Sequence, residues 1–296
     1  MSLEAFISYL SLEKNYSSHT VNAYQNDISD FMKFCTVTYE VNDIDEAGYH
    51  LVRGWLVGLV DQNISNRSVN RKIASLKAYY KFLQRIGRIE SSPLAKHRAL
   101  KTSKKIEVPF SEDEMTAVLQ EISFEPDFEG CRDKLIVELL YTTGIRRAEL
   151  IGLKLVNVDL ASASIKVLGK RNKERIVPLL QHTATLFDLY LQQRKSLVEI
   201  VDEQHIFLLK SGHKIYETLV YRVIIKYLSK VSTKVKKSPH ILRHTFATHL
   251  LNKGADLNSV KELLGHSSLA STQVYTHNSI AELKKVHLAS HPRSKK

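Results

Sequence analysis

The chain contains little of what secreted or membrane proteins require. Its 296 residues include only two cysteines, Cys35 and Cys131, which stand near apolar residues in different predicted domains. We therefore expect reduced core thiols, typical of a cytoplasmic protein. There is no run of about 18 apolar residues, so no membrane-spanning helix is predicted. The region after Met1 also lacks the apolar core of a secretion signal.

Acidic residues are few relative to basic ones. The chain has 43 Lys and Arg against 31 Asp and Glu, which gives a formal net charge of +12. Such an excess suits a polyanion that is bound largely through its phosphates. Charge alone is equally compatible with a ribosomal or membrane-surface protein. Internal repeats and low-complexity tracts are absent from the sequence, and its length is sufficient for two ordinary cores.

Helical periodicity and its interruption predict two domains. Residues 1–90 contain four amphipathic segments, which indicate a small helical bundle. Residues 91–109 are polar, basic and weakly periodic, and we interpret them as a linker that tracks phosphate. A second domain, residues 110–296, begins where Ser111 and Glu114 form a capping box and Met115 can pack on Phe110.

Near the end of the chain, residues 238–277 combine a helical framework with reactive side chains. Ser238 and Pro239 predict an N-cap and first turn, so a helix should begin at about His240. Three apolar residues at four-residue spacing predict its buried face: Leu242, Phe246 and Leu250. Arg243 lies in the first turns, where the helix dipole favours an anion.

A second helix should follow this one. Gly254 ends the first helix, Asp256 caps the next, and Gly265 closes it immediately before His266. The side chains of His240, Arg243, His266 and Tyr275 suit a site that holds a phosphodiester while a phenol attacks it.

Each of these residues also has a simpler interpretation. A histidine near a helix start is usually a surface or capping residue, and a tyrosine in such a segment is usually packing. His240 and His244 are four apart, as zinc ligands can be. However, the His-Glu-x-x-His pattern is absent and no cysteine lies nearby, so no metal site is predicted.

The order HILRHTFATHLL, LLGHSS and Tyr275, nine positions after His266, resembles the signature of the tyrosine recombinase (phage integrase) family. Its spacings are similar to those of the XerC/XerD branch, and the resemblance covers nearly the whole chain. LIVELLYTTGIRRAELIGL resembles the family's first box, which implies that Arg146 binds phosphate. Glu149 would orient Arg146, and Arg147 would stay exposed. Taken alone, Arg146 and Glu149 would be an ordinary helical ion pair.

The segment IKVLGKRNKERIVPL predicts a β-hairpin with its turn at residues 169–173. Ile165 and Val167 alternate with polar residues on one strand, and Ile176 does so on the other. By resemblance, Lys170 is the family's mobile catalytic lysine. Arg171 stands where relatives often carry a glycine and would stiffen the turn or add a phosphate contact. The alternative is a solvated basic turn, in which Lys173 and Arg175 are further cations.

The resemblance implies six catalytic side chains: Arg146, Lys170, His240, Arg243, His266 and Tyr275. The two arginines would clamp the non-bridging oxygens, with a hydrogen bond added by His266. Tyr275 would attack and pass its proton to His240. Lys170 would protonate the departing 5′ oxygen. A 3′-phosphotyrosyl link keeps the bond energy, so no cofactor, ATP or metal is expected.

Further basic and polar residues are candidates for DNA contact. The N-terminal bundle resembles the family's core-binding domain, and the segment YETLVYRVIIKYLSK could lie in the major groove. The two domains would clamp double-stranded DNA from opposite sides, although solvated helix faces are the alternative. The candidates are Thr20, Tyr24, Arg67, Asn70, Arg71, Lys77, Arg171, Arg222 and Lys226.

The expected fold is mainly α. It combines an N-terminal SAM-like four-helix core-binding domain with an α-rich catalytic domain that carries a small antiparallel β-sheet. The last helix has four apolar residues available for burial: Ile280, Leu283, Val286 and Leu288. The resemblance implies that this helix packs into a neighbouring subunit; the alternative is that it folds back onto its own domain.

The leading expectation for function is a chromosomal Xer recombinase acting at a dif-like site. It would form a homo- or heterotetramer with a second Xer-type recombinase, with a DNA translocase as regulator. Alternatives are the integrase of a mobile element, a type IB topoisomerase-like enzyme, and a DNA-binding protein without activity. The length also leads us to expect no additional arm-binding domain of the kind found in long phage integrases.

Overall fold

The computed structural model describes residues 2–102, 107–169, 173–265 and 277–295. The chain divides into two compact units, residues 1–105 and 106–296. The first unit contains α1 (Ser2–Ser8), α2 (Ser18–Tyr39), α3 (Tyr49–Asp61) and α4 (Asn66–Arg85). The helices of the second are α5 (Glu112–Thr116), α6 (Phe128–Thr143), α7 (Arg147–Ile151), α8 (Gln181–Lys195), α9 (Glu217–Leu228), α10 (Pro239–Asn252), α11 (Leu257–Leu264) and α12 (His277–Ser290). Its strands are β1 (Val158–Asp159), β2 (Ser164–Leu168) and β3 (Glu174–Pro178).

The first unit is the four-helix SAM-like bundle that the sequence predicts. Side-chain caps from Ser17 and Ser65 begin α2 and α4, where each hydroxyl accepts a backbone N–H. The apolar faces of all four helices meet in one core, which includes Phe6, Ile28, Phe31, Trp55, Leu76 and Leu83. Cys35 is a free thiol buried in this core.

The segment after α4 is fastened to the first unit. Leu94 is buried in the bundle core. The side-chain amide of Asn70 bonds both the backbone N–H and the carbonyl of Leu100, each at 2.9 Å. Lys77 donates to the carbonyl of His97. Much of the segment interpreted as a linker therefore lies along α4.

The second unit is built around α6, which packs against α8, α9 and α10 and is buried along most of its length. The capping box of Ser111 and Glu114 is present, and Phe110 and Met115 are both buried, as predicted. Cys131 on α6 is a free, half-buried thiol. Within the described ranges, no helix has the length and apolar character needed to cross a membrane.

The strands form an antiparallel sheet in the order β1, β2, β3. Ile165 pairs with Val177 and Val167 pairs with Arg175, and these four residues face the core. The apolar residue that the pattern singled out on the second strand, Ile176, does not share the core face with Ile165 and Val167. Ile176 pairs with Lys166 on the other face and is half-buried, because strand side chains alternate between faces.

In the single chain, the C-terminal helix α12 packs on its own unit, and its packing into a neighbouring subunit stays a prediction for the assembly. Leu283 is buried in a cluster with Phe246 and Leu250, and Val286 packs against it. Leu288 points away and is 49% exposed. In the single chain, α12 therefore covers apolar residues of α10 and α11.

Candidate active site

Helix α10 carries two of the predicted catalytic residues. Its N-cap is Ser238, whose hydroxyl accepts from the N–H of Ile241, and Pro239 opens the first turn, as predicted. Leu242, Phe246 and Leu250 are fully buried, which confirms the predicted buried face of the helix. His240 is exposed at the start of the helix and Arg243 is half-buried one turn later.

The guanidinium of Arg243 lies at the ends of two other helices. It donates to the carbonyl of Gly144, which ends α6, at 2.5 Å, and to the carbonyl of Leu264, which ends α11, at 2.6 Å. The last carbonyls of a helix carry partial negative charge, so both ends stabilise a cation.

Glycine at position 144 is what allows this close approach. Gly144 has φ of +61°, and a Cβ there would lie 2.4 Å from Cδ1 of Phe246. The turn that follows α6 can thus rest directly on α10. This contact places the segment containing Arg146 beside Arg243.

Arg146 immediately precedes α7 and is held by Glu149. The carboxylate accepts the backbone N–H of Arg146 at 2.7 Å and its guanidinium at 2.8 Å. The predicted hydrogen bond between Glu149 and Arg146 is therefore present. Arg147 was expected to stay exposed. It is instead half-buried, and its guanidinium forms a 2.6 Å ion pair with Glu217 on α9.

Arg175 is the residue that sequence reasoning missed. It was grouped with the solvated cations of the hairpin, yet its side chain is 5% exposed. Both terminal nitrogens donate to the carboxylate of Glu149 at 2.8 Å, and Nε donates to the carbonyl of Leu263 at 3.1 Å. The signal lay in the period of two along β3, which puts position 175 on the inward face with Val177.

The carboxyl end of α11 collects three arginines. The carbonyl of Leu263 accepts from Arg175 and that of Leu264 from Arg243. The carbonyl of Gly265 accepts a longer bond, 3.4 Å, from Arg146. Asp256 caps the start of α11, and Gly265 ends it with φ of +63°, as predicted.

Charge at this cluster is strongly coupled. Burial, with the neighbouring charge of Arg146, lowers the pKa of Arg243 to about 10. Burial alone would raise the pKa of Glu149, but hydrogen bonds and charge from Arg175 and Arg146 outweigh it and lower that pKa below its ordinary value. The cluster thus contains three arginines and one carboxylate, an excess of positive charge that suits a bound phosphate.

Four of the predicted site residues lie outside the described residues: Lys170, Arg171, His266 and Tyr275. The residues that flank them in the chain are described: Gly169, Lys173, Gly265 and His277. The N–H of Gly169 donates to the carbonyl of Lys173 at 2.8 Å. Of the six predicted catalytic residues, the structure therefore brings Arg146 and Arg243 together and places His240 one turn from Arg243.

Comparisons with known proteins identify the family. The phage integrase family model matches residues 113–282, and the N-terminal SAM-like domain of phage integrases matches residues 3–87. The chain belongs to the phage integrase family.

This family member is closely similar to several tyrosine recombinases. It is 39% identical over 295 residues to the tyrosine recombinase XerC of Oceanobacillus iheyensis. The aligned region covers 99% of this chain and 96% of that relative. It is 37% identical to XerC of Chlorobaculum parvum over 98% of this chain and 94% of that one. The solved XerH recombinase bound to a palindromic difH substrate shares the fold, with a TM-score of 0.71, 21% identity, and coverage of 96% and 83%. The chain is therefore a site-specific tyrosine recombinase, an enzyme that cuts and rejoins DNA.

The bundle of the recombinase gives several predicted DNA-contact residues other partners. Arg71 forms a two-pronged ion pair with buried Asp27, at 2.6 and 2.8 Å. Asn70 and Lys77 hold the segment after α4, as described above. Arg67 is exposed on the same helix.

The remaining candidates differ in exposure. Thr20 exchanges a hydrogen bond with the capping hydroxyl of Ser17, and Tyr24 is half-buried against the ring of Phe6. Arg222 and Lys226 are exposed on α9 of this integrase-family enzyme. Arg222 donates to the hydroxyl of Tyr216 at 2.5 Å.

Proposed function

We propose that this recombinase resolves chromosome dimers by recombining two copies of a dif-like site. The observation that carries the proposal is the identity to XerC proteins over nearly the whole of both chains. The net charge of +12 supports double-stranded DNA as the partner. The enzyme would act in the cytoplasm as a homo- or heterotetramer with a second Xer-type recombinase, under the control of a DNA translocase.

In the proposed mechanism, Arg146 and Arg243 bind the non-bridging oxygens of the scissile phosphate. The support is that both guanidinium groups converge on neighbouring carbonyls at the end of α11. Each arginine has five N–H donors, so these bonds leave donors for a phosphate. His266, which follows Gly265 in the chain, would add a hydrogen bond.

The chemical step transfers the phosphoryl group to Tyr275. Its phenolate oxygen forms a bond to phosphorus while the bond to the 5′ oxygen breaks, leaving a 3′-phosphotyrosyl link. The phenol has an ordinary pKa near 10, so its proton must go to a base, for which we propose His240. Lys170 supplies the proton that the 5′ oxygen takes up. The reverse steps, with a different 5′ hydroxyl, join the new strands.

For binding outside the cleaved position, we propose that the exposed side chains make phosphate contacts. On the first unit this concerns Arg67, and on the second Arg222 and Lys226. Arg171, which lies between β2 and β3 in the chain, is proposed to make a further phosphate contact. For Asn70, Arg71 and Lys77 a DNA contact would compete with the intramolecular bonds that hold them.

The test is a plasmid assay. Footprinting against the replication-terminus DNA of the host first maps the bound site. A supercoiled plasmid with two directly repeated copies of that site is then incubated with the protein, alone and with the second Xer-type recombinase of the same host. The expected product is two smaller circles, and a plasmid without the site should stay supercoiled.

Other outcomes would replace the proposal. Relaxation of the site-free plasmid would indicate a type IB topoisomerase-like enzyme. Recombination confined to the ends of a mobile element would indicate its integrase.

A further inference from the structure

We infer that Arg175 is a positioning residue for the active site: its buried guanidinium fixes Glu149, and through it Arg146, against the carboxyl end of α11. The inference rests on the proposed function, because it concerns the placement of an arginine proposed to bind the scissile phosphate.

Arg175 uses all three of its guanidinium nitrogens. Two donate to the two oxygens of Glu149, and the third donates to the carbonyl of Leu263. With side chains 5% and 3% exposed, Arg175 and Glu149 are shielded from water. A planar fork with three fixed bonds sets the orientation as well as the position of the carboxylate, which a lysine ammonium would not do.

Glu149 is shared between two cations. Its Oε1 accepts from both Arg175 and Arg146, and its Oε2 also accepts the backbone N–H of Arg146. Since Arg175 satisfies and orients the carboxylate from the buried side, Arg146 need give Glu149 only one guanidinium bond. Without Arg175, the same carboxylate would be free to turn and would compete with phosphate for Arg146.

The position of Arg175 also links three segments that carry proposed catalytic residues. Its own strand, β3, begins four residues after Lys170 in the chain. Glu149 lies on α7, next to Arg146. Gly265, the residue before His266, lies so close that a Cβ there would be 3.0 Å from Cδ of Arg175. One side chain thus joins the hairpin, α7 and α11.

Stability alone does not explain this arrangement. Replacing a buried ion pair by apolar side chains of similar volume is often neutral or stabilising. The specific consequence of the pair is geometric: it sets where Arg146 stands relative to Arg243.

A double-mutant cycle tests the inference with Arg175→Met, Arg146→Lys and the combined variant. The probe is a nicked duplex of the site mapped by footprinting, which traps the covalent protein–DNA adduct. We expect Arg175→Met to lower the adduct rate at saturating protein by on the order of tenfold, with the Kd for DNA changed by less than about threefold. In the Arg146→Lys background, the same change should have little further effect.

Several outcomes would overturn the inference. An equal fold loss in both backgrounds would show that Arg175 acts independently of Arg146, as a merely structural residue would. An unchanged adduct rate in Arg175→Met would do the same. If Arg175→Met fails to fold, Arg175→Lys, which keeps the charge but not the fork, should show a smaller loss with the same non-additivity. Lys166→Gln is the matched control, because Lys166 forms an exposed pair with Glu174 on the other face of the hairpin.

A crystal structure of the free Arg175→Met protein, or of Arg175→Lys if that variant alone folds, separates this inference from the proposed function. It should show the guanidinium of Arg146 displaced from its wild-type position, drawn onto Glu149 and away from the carbonyl of Gly265. A position unchanged within about 0.5 Å would refute the positioning role whatever the DNA assays give. Conversely, a wild-type protein without any adduct contradicts the proposed function and leaves this structural comparison decisive.

Discussion

The imidazole of His287 on α12 donates a 2.6 Å hydrogen bond to the carbonyl of Thr142 near the end of α6. His287 is 1% exposed, and burial lowers its pKa to about 4. Burial also lowers the pKa values of His291, beside it, and of His249 on α10. The C-terminal segment is therefore seated on its own unit through histidines that favour the neutral form.

This arrangement predicts that the free energy of unfolding falls in mild acid. Unfolded histidine has a pKa near 6.5, whereas folded His287 stays neutral to about pH 4. The unfolded chain thus binds more protons between these two pKa values. The contribution of neutral His287 to the free energy of unfolding is therefore complete above about pH 6.5 and is lost as the pH falls toward 4. His287 alone can contribute roughly 3 kcal/mol to the loss. Urea unfolding at a series of pH values measures it.

The control for the pH prediction is a pair of substitutions. His287→Gln should flatten the pH dependence, since glutamine does not titrate. His19→Gln, at an exposed position of the bundle, should leave the dependence as in the wild type. Identical curves for all three proteins would contradict the role given to His287.

The seating of α12 also predicts a contrast between two leucines. Leu283 is 6% exposed inside the Phe246 cluster, whereas Leu288 is 49% exposed. Leu283→Ala should lower the free energy of unfolding by about 2–4 kcal/mol, and Leu288→Ala by less than about 0.5 kcal/mol. Thermal and urea unfolding compare them. Equal effects would mean that α12 is not docked on its own unit in solution.

The local signals in the sequence were sufficient for the helices of the first unit and for the starts of α5, α10 and α11. Caps are short-range chemistry, so Ser111, Ser238 and Asp256 could be recognised from their neighbours alone. The four-helix bundle and the small antiparallel sheet followed from periodicity. The signature residues also indicated the family, because their order and spacing are specific.

What the sequence did not reveal depends on contacts between distant segments. The burial of Arg175 requires the register of β2 and β3 and the approach of α7 and α11. The roles of Asn70 and Lys77 arise because the chain after α4 returns along that helix. The surface on which α12 packs could not be predicted, since an amphipathic helix can cover its own domain or a neighbouring subunit.

Two arginines in the first half of α4, Arg67 and Arg71, are expected to behave differently. Arg71 donates two hydrogen bonds to Asp27, whose side chain is 2% exposed and also accepts from Lys72 and Ser75. Because Arg71→Gln removes two of these charge-assisted bonds, it should lower the free energy of unfolding by about 1 kcal/mol. Arg67→Gln should leave stability unchanged and reduce the slope of log K against log salt by about 1. DNA-binding titrations at several salt concentrations, with urea unfolding in parallel, measure both. A stable Arg71→Gln protein or an unchanged slope for Arg67→Gln would refute the respective assignment.

Gly144 predicts another paired result. Gly144→Ala must place a methyl group in the ring of Phe246 at a positive φ, so a loss of more than about 1 kcal/mol is expected, together with weaker cleavage. Gly58→Ala is the control, since a Cβ there meets nothing within 4 Å and alanine favours the helix by up to about 1 kcal/mol. A tolerated Gly144→Ala would show that the turn does not rest on α10 as described.

The most direct test of the proposed chemistry is to trap the protein on a nicked duplex of its mapped site and identify the attached residue. The wild type should yield a covalent adduct whose tryptic peptide carries the nucleotide on Tyr275. Tyr275→Phe should bind the same duplex with unchanged Kd and yield no adduct. An adduct that persists in Tyr275→Phe, or one mapped to a different residue, would contradict the assignment of the nucleophile.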